Sequence, residues 1–158
     1  MFRELIRKNK KIPMEECIRL LENQKRGILS VNGDDGYPYG MPMNHWYDPK
    51  DGKIYFHCGY GGHREDALKQ SDKVSFCVHD EGSCSEGSWA LHIKSVIVFG
   101  RIQLVDDPAL IVKIATKLGH KFTEDEGYIQ TEIERYAHRT RLLVLTPEHI
   151  CGKWVEES

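Results

Sequence analysis

The chain has 158 residues, of which 40% are hydrophobic and 29% are charged, and its net charge is −2. These values predict one folded domain over residues 1–158 with a sizeable core. The slight negative charge argues against nucleic acid as a partner, because phosphate contacts need a cationic excess. No apolar run approaches the length of a membrane span or a signal-peptide core, so we expect a cytoplasmic protein without membrane contact.

The cysteines and histidines show no metal-binding pattern. The five cysteines are odd in number and form no CxxC pair, so we expect reduced thiols that mostly fill the core. None of the eight histidines pairs with another at helical i, i+4 spacing, so no metal site is predicted. A zinc site on His57, Cys58 and His63, which Cys84 could join, or a haem held by a histidine, remains an alternative.

The first half of the chain predicts mostly strands, separated by turns rich in glycine and proline. One strand contains Pro38 and Pro42, which have no amide hydrogen to donate, so it should lie at a sheet edge, begin late or carry a bulge. The predicted helices of this half cover residues 14–23 and 63–70, and the predicted strands cover 27–31, 37–47, 53–58 and 73–79.

The second half begins with a predicted long strand or bent pair of strands over 89–105, in which Gly100 is a candidate kink. Because helices and strands do not alternate along the chain, we expect a mainly β fold: an antiparallel sheet or barrel with short helices at its ends. The remaining predicted elements are helices from residue 107 and over 128–138, a final strand over 141–146 and a tail at 150–154.

The most informative segment joins the strand over 53–58 to the helix over 63–70. Gly59, Gly61 and Gly62 lie between them, and Arg64 falls in the first helical turn. Glycines let main-chain amides approach a ligand closely, and a helix N-terminus and a guanidinium both attract phosphate. The segment is therefore a candidate phosphate site, although a flexible glycine turn with a solvated arginine would have the same sequence.

Four segments in this order resemble those of the pyridoxamine-phosphate-oxidase-like, FMN-binding split-barrel superfamily, and most of all its nitroimidazole-resistance (Nim-type) proteins. The resemblance spans residues 1–153, and the last turn of that group is similar to EHICGK at 148–153. The four segments are GYPYGMPM at 36–43, YFH at 55–57 with GHREDAL at 62–68, KVSF at 73–76, and SVIVFGR at 95–101.

This resemblance implies an antiparallel split barrel that binds FMN at the interface of a homodimer. It places the flavin phosphate on the turn and helix after the third predicted strand, and the ring against two other strands. The implied cofactor-binding residues are His57, Gly62, His63 and Arg64 for the phosphate, Pro42, Met43, Asn44, His45, Ser95 and Val96 around the ring, and Trp89 and Trp154 as closing aromatic residues.

The implied activity is electron or hydride transfer through the flavin to a small substrate, such as a nitroimidazole or another electron-poor compound. His63 is the candidate catalytic residue, and NAD(P)H would bind only transiently because no dinucleotide fingerprint is present. Arg135, His138, Arg139 and Arg141 match no pyridoxal-phosphate motif, which argues against a true oxidase. The alternative is a non-catalytic flavin- or haem-binding module.

Overall fold

The computed structural model describes residues 1–157, which form four helices and eight strands. No helix in this part of the chain combines the length and the apolar character needed to cross a bilayer. The helices are α1 (Met14–Asn23), α2 (His63–Gln70), α3 (Pro108–His120) and α4 (Glu126–Tyr136); the strands are β1 (Arg26–Asn32), β2 (Pro38–Asn44), β3 (Trp46–Asp48), β4 (Lys53–Cys58), β5 (Lys73–His79), β6 (Ser83–Cys84), β7 (Leu91–Val105) and β8 (Arg141–Glu157).

All strand pairs are antiparallel, and the sheet order is β2-β1-β5-β7-β8-β4-β3, with β6 attached to β7. The two end strands, β2 and β3, follow each other in the chain with only His45 between them. The sheet therefore curls back on itself as a half-barrel, and the predicted antiparallel split-barrel class is confirmed.

The barrel interior follows from the alternation of apolar residues along the strands. In β1 and β5 every second side chain is buried, so Leu29, Phe76 and Val78 lie completely inside. Phe76 meets Phe56 of β4 edge to face, with ring centroids 5.0 Å apart. The apolar face of α1 packs into this same core through Leu21 and its neighbours.

The two sequence signals of irregular strands are confirmed. The strand with Pro38 and Pro42 is β2, which pairs only with β1 and forms one end of the sheet. The register between β7 and β8 shifts between Phe99 and Gly100, so the glycine marks a bulge. A side chain at position 100 would collide with the Thr146 carbonyl.

α3 and α4 cover the outer face of the barrel beside β4 and β8. α3 begins at Asp107, whose carboxylate accepts hydrogen bonds from the amides of Ala109 (3.0 Å) and Leu110 (3.1 Å). α3 then packs on the sheet, and α4 packs on α3. The second apolar cluster consists of Tyr55, Ile111, Ile114, Leu118, Leu142 and Val144.

The C-terminal strand is longer than predicted. The sequence indicates a strand over 141–146 and a separate tail, but β8 runs from Arg141 to Glu157 and pairs with β7 along most of that length. Pro147 and Gly152 interrupt the apolar pattern, whereas the pairing continues past both of them. The tail is therefore the outer half of the longest strand in the described part of the chain.

Candidate functional site

The loop between β4 and α2 adopts a conformation that only glycine accepts easily. Gly61 and Gly62 have φ angles of +74° and +88°. Gly62 is the N-cap residue of α2, and the amides of Gly62, His63 and Arg64 have no hydrogen-bond acceptor among the described residues. These amides and the helix end together favour an anionic oxygen.

A carboxylate of the chain itself already binds to this loop. The amide of Gly61 donates to Oε2 of Glu65 at 2.7 Å, and this hydrogen bond lowers the pKa of Glu65. The adjacent amides beyond Gly61 remain available. The loop therefore binds an anionic oxygen on one side and has donors for another.

The Arg64 side chain reaches Met43 of β2 instead of extending into bulk water. Its guanidinium donates to Sδ of Met43 at 3.8 Å. It also lies beside Cys58, where it opposes the rise in the thiol pKa that burial causes. The side chain is half-buried, and no carboxylate in residues 1–157 pairs with it. Arg64 is thus a partly desolvated cation without a counter-ion from the described chain.

Arg141, by contrast, has two carboxylate partners. Its guanidinium lies 3.1 Å from Glu65 and 2.6 Å from Asp106, and Tyr60 covers it with the ring centroid 4.8 Å away. The Tyr60 hydroxyl donates to Asp106 at 3.2 Å. Arg141 therefore anchors the glycine loop to the barrel and is not available to a ligand.

His63 lies at the exposed start of α2, where two residues orient its ring. It stacks on Tyr39 of β2, with ring centroids 4.3 Å apart, and its Nε2 is 3.4 Å from the Asp34 carboxylate. The turn after β1 is close as well, since a Cβ at Gly33 would lie 3.5 Å from the same nitrogen. His63 therefore faces β2, on the side of the loop where Arg64 meets Met43.

A cleft of about 350 Å³ opens between the sheet and the pair α3 and α4. Asn44 from β2 and His57 from β4 form its sheet side, while apolar and aromatic side chains of the two helices form most of the rest. Desolvation lowers the pKa of His57, which favours the neutral form of its imidazole. The cleft is a concave, mostly apolar site with a few polar groups, as small-molecule sites usually are.

The sequence matches a known protein family over most of its length. A sequence model of the family described as pyridoxamine 5'-phosphate oxidase matches residues 13–154. The chain belongs to the pyridoxamine 5'-phosphate oxidase family. This is the flavin-binding family that the glycine loop and its neighbouring segments resemble. No curated protein sequence matches the chain significantly.

Solved structures support the same fold for this family member. A candidate 5-nitroimidazole antibiotic resistance protein from Bacteroides thetaiotaomicron superposes with a TM-score of 0.76 at 15% identity, covering 92% of this chain and 87% of that chain. A FAD-binding protein from Mesorhizobium loti gives 0.65 at 20% identity, covering 92% and 97%. A FAD-binding protein from Mycobacterium smegmatis gives 0.59 at 20% identity, covering 92% and 98%.

The residues of this family member fit the phosphate of a flavin. The unpartnered amides after Gly61 and the unpaired Arg64 guanidinium are hydrogen-bond donors, and a phosphate group is an acceptor with multiple negative charges. A Cβ at Gly62 would meet no atom within 4 Å, so space beside the loop is open. His57 is in β4, the strand that precedes this loop, and its side chain lines the cleft. The end of β4 therefore connects the loop to the sheet face where a ring could lie.

The structure does not bring all predicted site residues together. Ser95 and Val96 lie on β7, which is separated from β2 by two strands, β1 and β5. Val96 is completely buried, so only its main chain could face a ligand. Trp89 is 80% exposed, and Trp154 is packed against the Lys10 ammonium, 3.3 Å from the ring centroid.

His45 is a correction to the predicted set, because its side chain lies in the core. It is completely buried, its Nε2 donates to the Leu21 carbonyl at 2.7 Å, and its ring meets the edge of Phe76. Burial, and to a lesser degree the charge of Lys121, lower its pKa to about 3. The side chain cannot line a flavin from the surface, since the β2–β3 bend turns it inward.

Lys121 is a functional candidate that the sequence did not suggest. It follows α3, and its ammonium donates to the carbonyls of Gln24 (2.5 Å) and His45 (2.8 Å). Desolvation lowers its pKa to about 8. Lys121 therefore ties the end of α3, beside the cleft, to the barrel; main-chain partners leave no signal in the sequence.

Proposed function

We propose that the protein binds FMN, with the phosphate on the amides of Gly62, His63 and Arg64 and on the Arg64 guanidinium. The observation that carries the proposal is the unpaired, half-buried Arg64 beside two left-handed glycines. A cation that is partly removed from water without a counter-ion is costly, and a bound dianion offsets that cost. The same dianion would interact favourably with the end of α2.

His63 is the second candidate hydrogen-bond donor at this site. Its ring is already oriented by Tyr39 and Asp34, so little side-chain entropy is lost when it meets a ligand. His63 would donate a hydrogen bond to the phosphate or to the substrate. This dual role makes it the candidate whose substitution separates cofactor binding from turnover.

The ring would lie on the outer face of β2 and β4, beside Asn44 and His57. Pro42 and Asn44 point to the opposite face of β2 from Met43, as alternation along a strand requires. Ser95 and Trp154 belong to β7 and β8, several strands away from β2 in the sheet order, and Trp89 precedes β7, so within this proposal they reach a flavin only from a second subunit. The residue set therefore favours a site shared by two chains.

We propose that the outer face of the sheet forms the homodimer interface. A row of side chains, most of them apolar, crosses five strands there, because the strand registers place them opposite one another. Ile28 in this row is 43% exposed, although it is a large apolar residue in the middle of a sheet. The row consists of Pro42, Ile28, Cys77, Ile97 and Cys151.

The proposed activity is the reduction of a small electron-poor compound, such as a nitroimidazole, in the cytoplasm. When bound, the flavin supplies electron or hydride transfer, and NAD(P)H would be a transient donor. The chain holds the cofactor by its phosphate and offers the cleft for the acceptor. Neutral His57 can donate or accept a hydrogen bond at the sheet wall. The five free cysteines suit a reducing compartment.

The direct test is an FMN titration of the purified protein and its Arg64→Ala variant. We expect a yellow protein, and an affinity loss on the order of 10- to 100-fold in the variant, since charge-assisted hydrogen bonds contribute about 1.5–3 kcal/mol. Arg19→Ala is the matched control, because Arg19 is exposed on α1 and distant in sequence from the glycine loop. A red protein with a haem spectrum, or equal FMN affinity in the Arg64→Ala variant, would overturn the proposal.

Turnover is tested separately with His63→Ala. If the enzyme proposal holds, flavin remains bound while the rate of NAD(P)H-dependent nitro-group reduction falls. A flavin-loaded protein that reduces no acceptor with either nicotinamide donor would instead favour a non-catalytic flavin module.

A further inference from the structure

The cleft between the sheet and α3 and α4 has walls of two different kinds. The helix wall is apolar and aromatic, with Phe122, Tyr128 and Ile133 among its residues. The sheet wall has two polar side chains, Asn44 and His57, and neither forms a hydrogen bond within the described part of the chain. The helix wall therefore suits a ring, and the sheet wall suits a hydrogen-bonding substituent.

The packing of α4 on α3 keeps this cleft open. The two helices lie close together at Gly119, where a Cβ would lie 3.0 Å from Ile129. Ala115, one turn earlier on α3, is also small and lines the cleft. Small residues on α3 thus let α4 lie close at one point while space remains between the two helices and the sheet.

The charges around the cleft discriminate between classes of ligand. Within residues 1–157, no lysine or arginine lines it, and the one carboxylate in its wall is Glu132. Arg135 is 3.7 Å from this carboxylate but is itself 62% exposed, so solvent screens the pair. Desolvation lowers the pKa of His57 and favours its neutral form. Among the residues that line the cleft, Glu132 is the only charged one, so an anionic ligand would gain no direct ion pair from the cleft wall.

We propose that this cleft binds an uncharged aromatic compound with a hydrogen-bonding substituent, such as a neutral nitroaromatic, and rejects its anionic analogues. The ring lies against the aromatic residues of α3 and α4, and the substituent meets the Asn44 amide and neutral His57. The inference specifies the substrate class of the proposed function and relies on that function for the reaction. Binding in the cleft itself does not require flavin.

The test uses two probes of the same ring and similar size, 4-nitrobenzyl alcohol and 4-nitrobenzoate. Their binding is measured by calorimetry at pH 7, with the protein flavin-free and then FMN-loaded. We expect the alcohol to bind at least about tenfold more tightly than the carboxylate, because only the carboxylate is repelled by Glu132. Equal affinities, or a preference for the carboxylate, would overturn the proposal.

Glu132→Lys reverses the charge of the cleft and should shift the preference toward 4-nitrobenzoate. Glu134→Lys is its matched control, since Glu134 lies on α4 but pairs with Gln130 outside the cleft. Both substitutions are on a solvent-accessible helix, and circular dichroism checks that each variant is folded. An unchanged probe preference in folded Glu132→Lys, or an equal change in Glu134→Lys, would contradict the assignment of the cleft.

A further substitution tests the cleft by reducing its volume without changing its charge. Ile133→Trp should fill part of the cleft and weaken binding of the neutral probe by about tenfold or more. Arg64→Ala should abolish tight FMN binding while the neutral probe still binds. If FMN fails to bind wild-type protein but the neutral probe binds, the proposed cofactor is wrong and the cleft assignment stands. If FMN binds and the probe does not, the cofactor proposal stands and the cleft assignment is wrong.

Discussion

The Glu65 carboxylate accepts a hydrogen bond from the Gly61 amide at 2.7 Å, four residues earlier in the chain. The same carboxylate lies 3.1 Å from Arg141. Glu65 therefore connects the glycine loop, the start of α2 and the start of β8. This connection fixes the loop on one side while its other amides stay free, which is the arrangement that a phosphate site needs.

The first prediction concerns this connection. Glu65→Gln keeps an acceptor for Gly61 but loses the charge for Arg141, and Glu65→Ala loses both. We expect the thermal midpoint at pH 7 to fall in the order wild type, Gln, Ala. Glu124→Gln is the control, because Glu124 is exposed and makes no ion pair in the described structure.

The same residue predicts a pH effect. The pKa of Glu65 lies below its ordinary 4.5, chiefly because of the Gly61 hydrogen bond. Its stabilising contribution is therefore complete above pH 4.5 and is lost as the pH falls through the lower folded value. The difference in midpoint between wild type and Glu65→Gln should shrink in strong acid. A constant difference from pH 7 to pH 2 would contradict the assigned interaction.

The second prediction concerns Gly62, whose φ of +88° is unfavourable for other residues. Alanine there would meet no neighbouring atom, so its cost is purely conformational, roughly 1–3 kcal/mol. We expect Gly62→Ala to weaken FMN binding at least tenfold in a titration. Gly59→Ala is the matched control, because Gly59 has similar open space without a positive φ. Equal FMN affinities in the two variants would contradict the proposed phosphate site on this loop.

Local patterns predicted the barrel elements well. The bounds of α1, α2, β4 and β5 match the predicted helices and strands because each depends on residues that are neighbours in sequence. The glycine loop was found for the same reason. Pattern-based prediction failed in the outer half of β8, where long-range pairing with β7 overrides the local signal of Pro147.

The site was only partly predictable. His45 has the same neighbours in sequence as Asn44, but the bend between β2 and β3 turns one side chain into the core and leaves the other at the cleft. The Glu65–Arg141–Asp106 group joins residues far apart in the chain. No spacing rule could have grouped them, because tertiary folding brings them together.

The third prediction tests the dimer. Ile97→Lys places a charge within the apolar row, next to its central residue Cys77, and should convert a dimer into a monomer of 18.3 kDa. Light scattering after gel filtration measures the mass. Val112→Lys is the matched control, since Val112 is an exposed apolar residue on α3, away from the row. A monomeric wild-type protein would refute the proposed interface directly.

The fourth prediction concerns pH and His45. Its folded pKa of about 3 lies below the ordinary 6.5, so below pH 6.5 the unfolded chain binds a proton that the folded chain excludes. This residue's contribution to the free energy of unfolding should therefore fall with acidification between pH 6.5 and 3, with a slope approaching about 1.4 kcal/mol per pH unit.

The measurement is denaturant unfolding from pH 7 to pH 5. His45→Gln retains a donor for the Leu21 carbonyl and should remove this part of the slope, although it lowers stability overall. His79→Gln, at an exposed position, should leave the slope unchanged. If wild type and His45→Gln have parallel pH profiles, His45 is not buried in its neutral form.

The Lys121 ammonium holds together the ends of three segments by two main-chain oxygens, those of Gln24 and His45. Every residue type supplies such an oxygen, so exchanges at positions 24 and 45 leave the bonding partners in place. Among homologues, we therefore expect a lysine at position 121 to persist while positions 24 and 45 vary independently of it. A search for co-varying pairs would miss this junction.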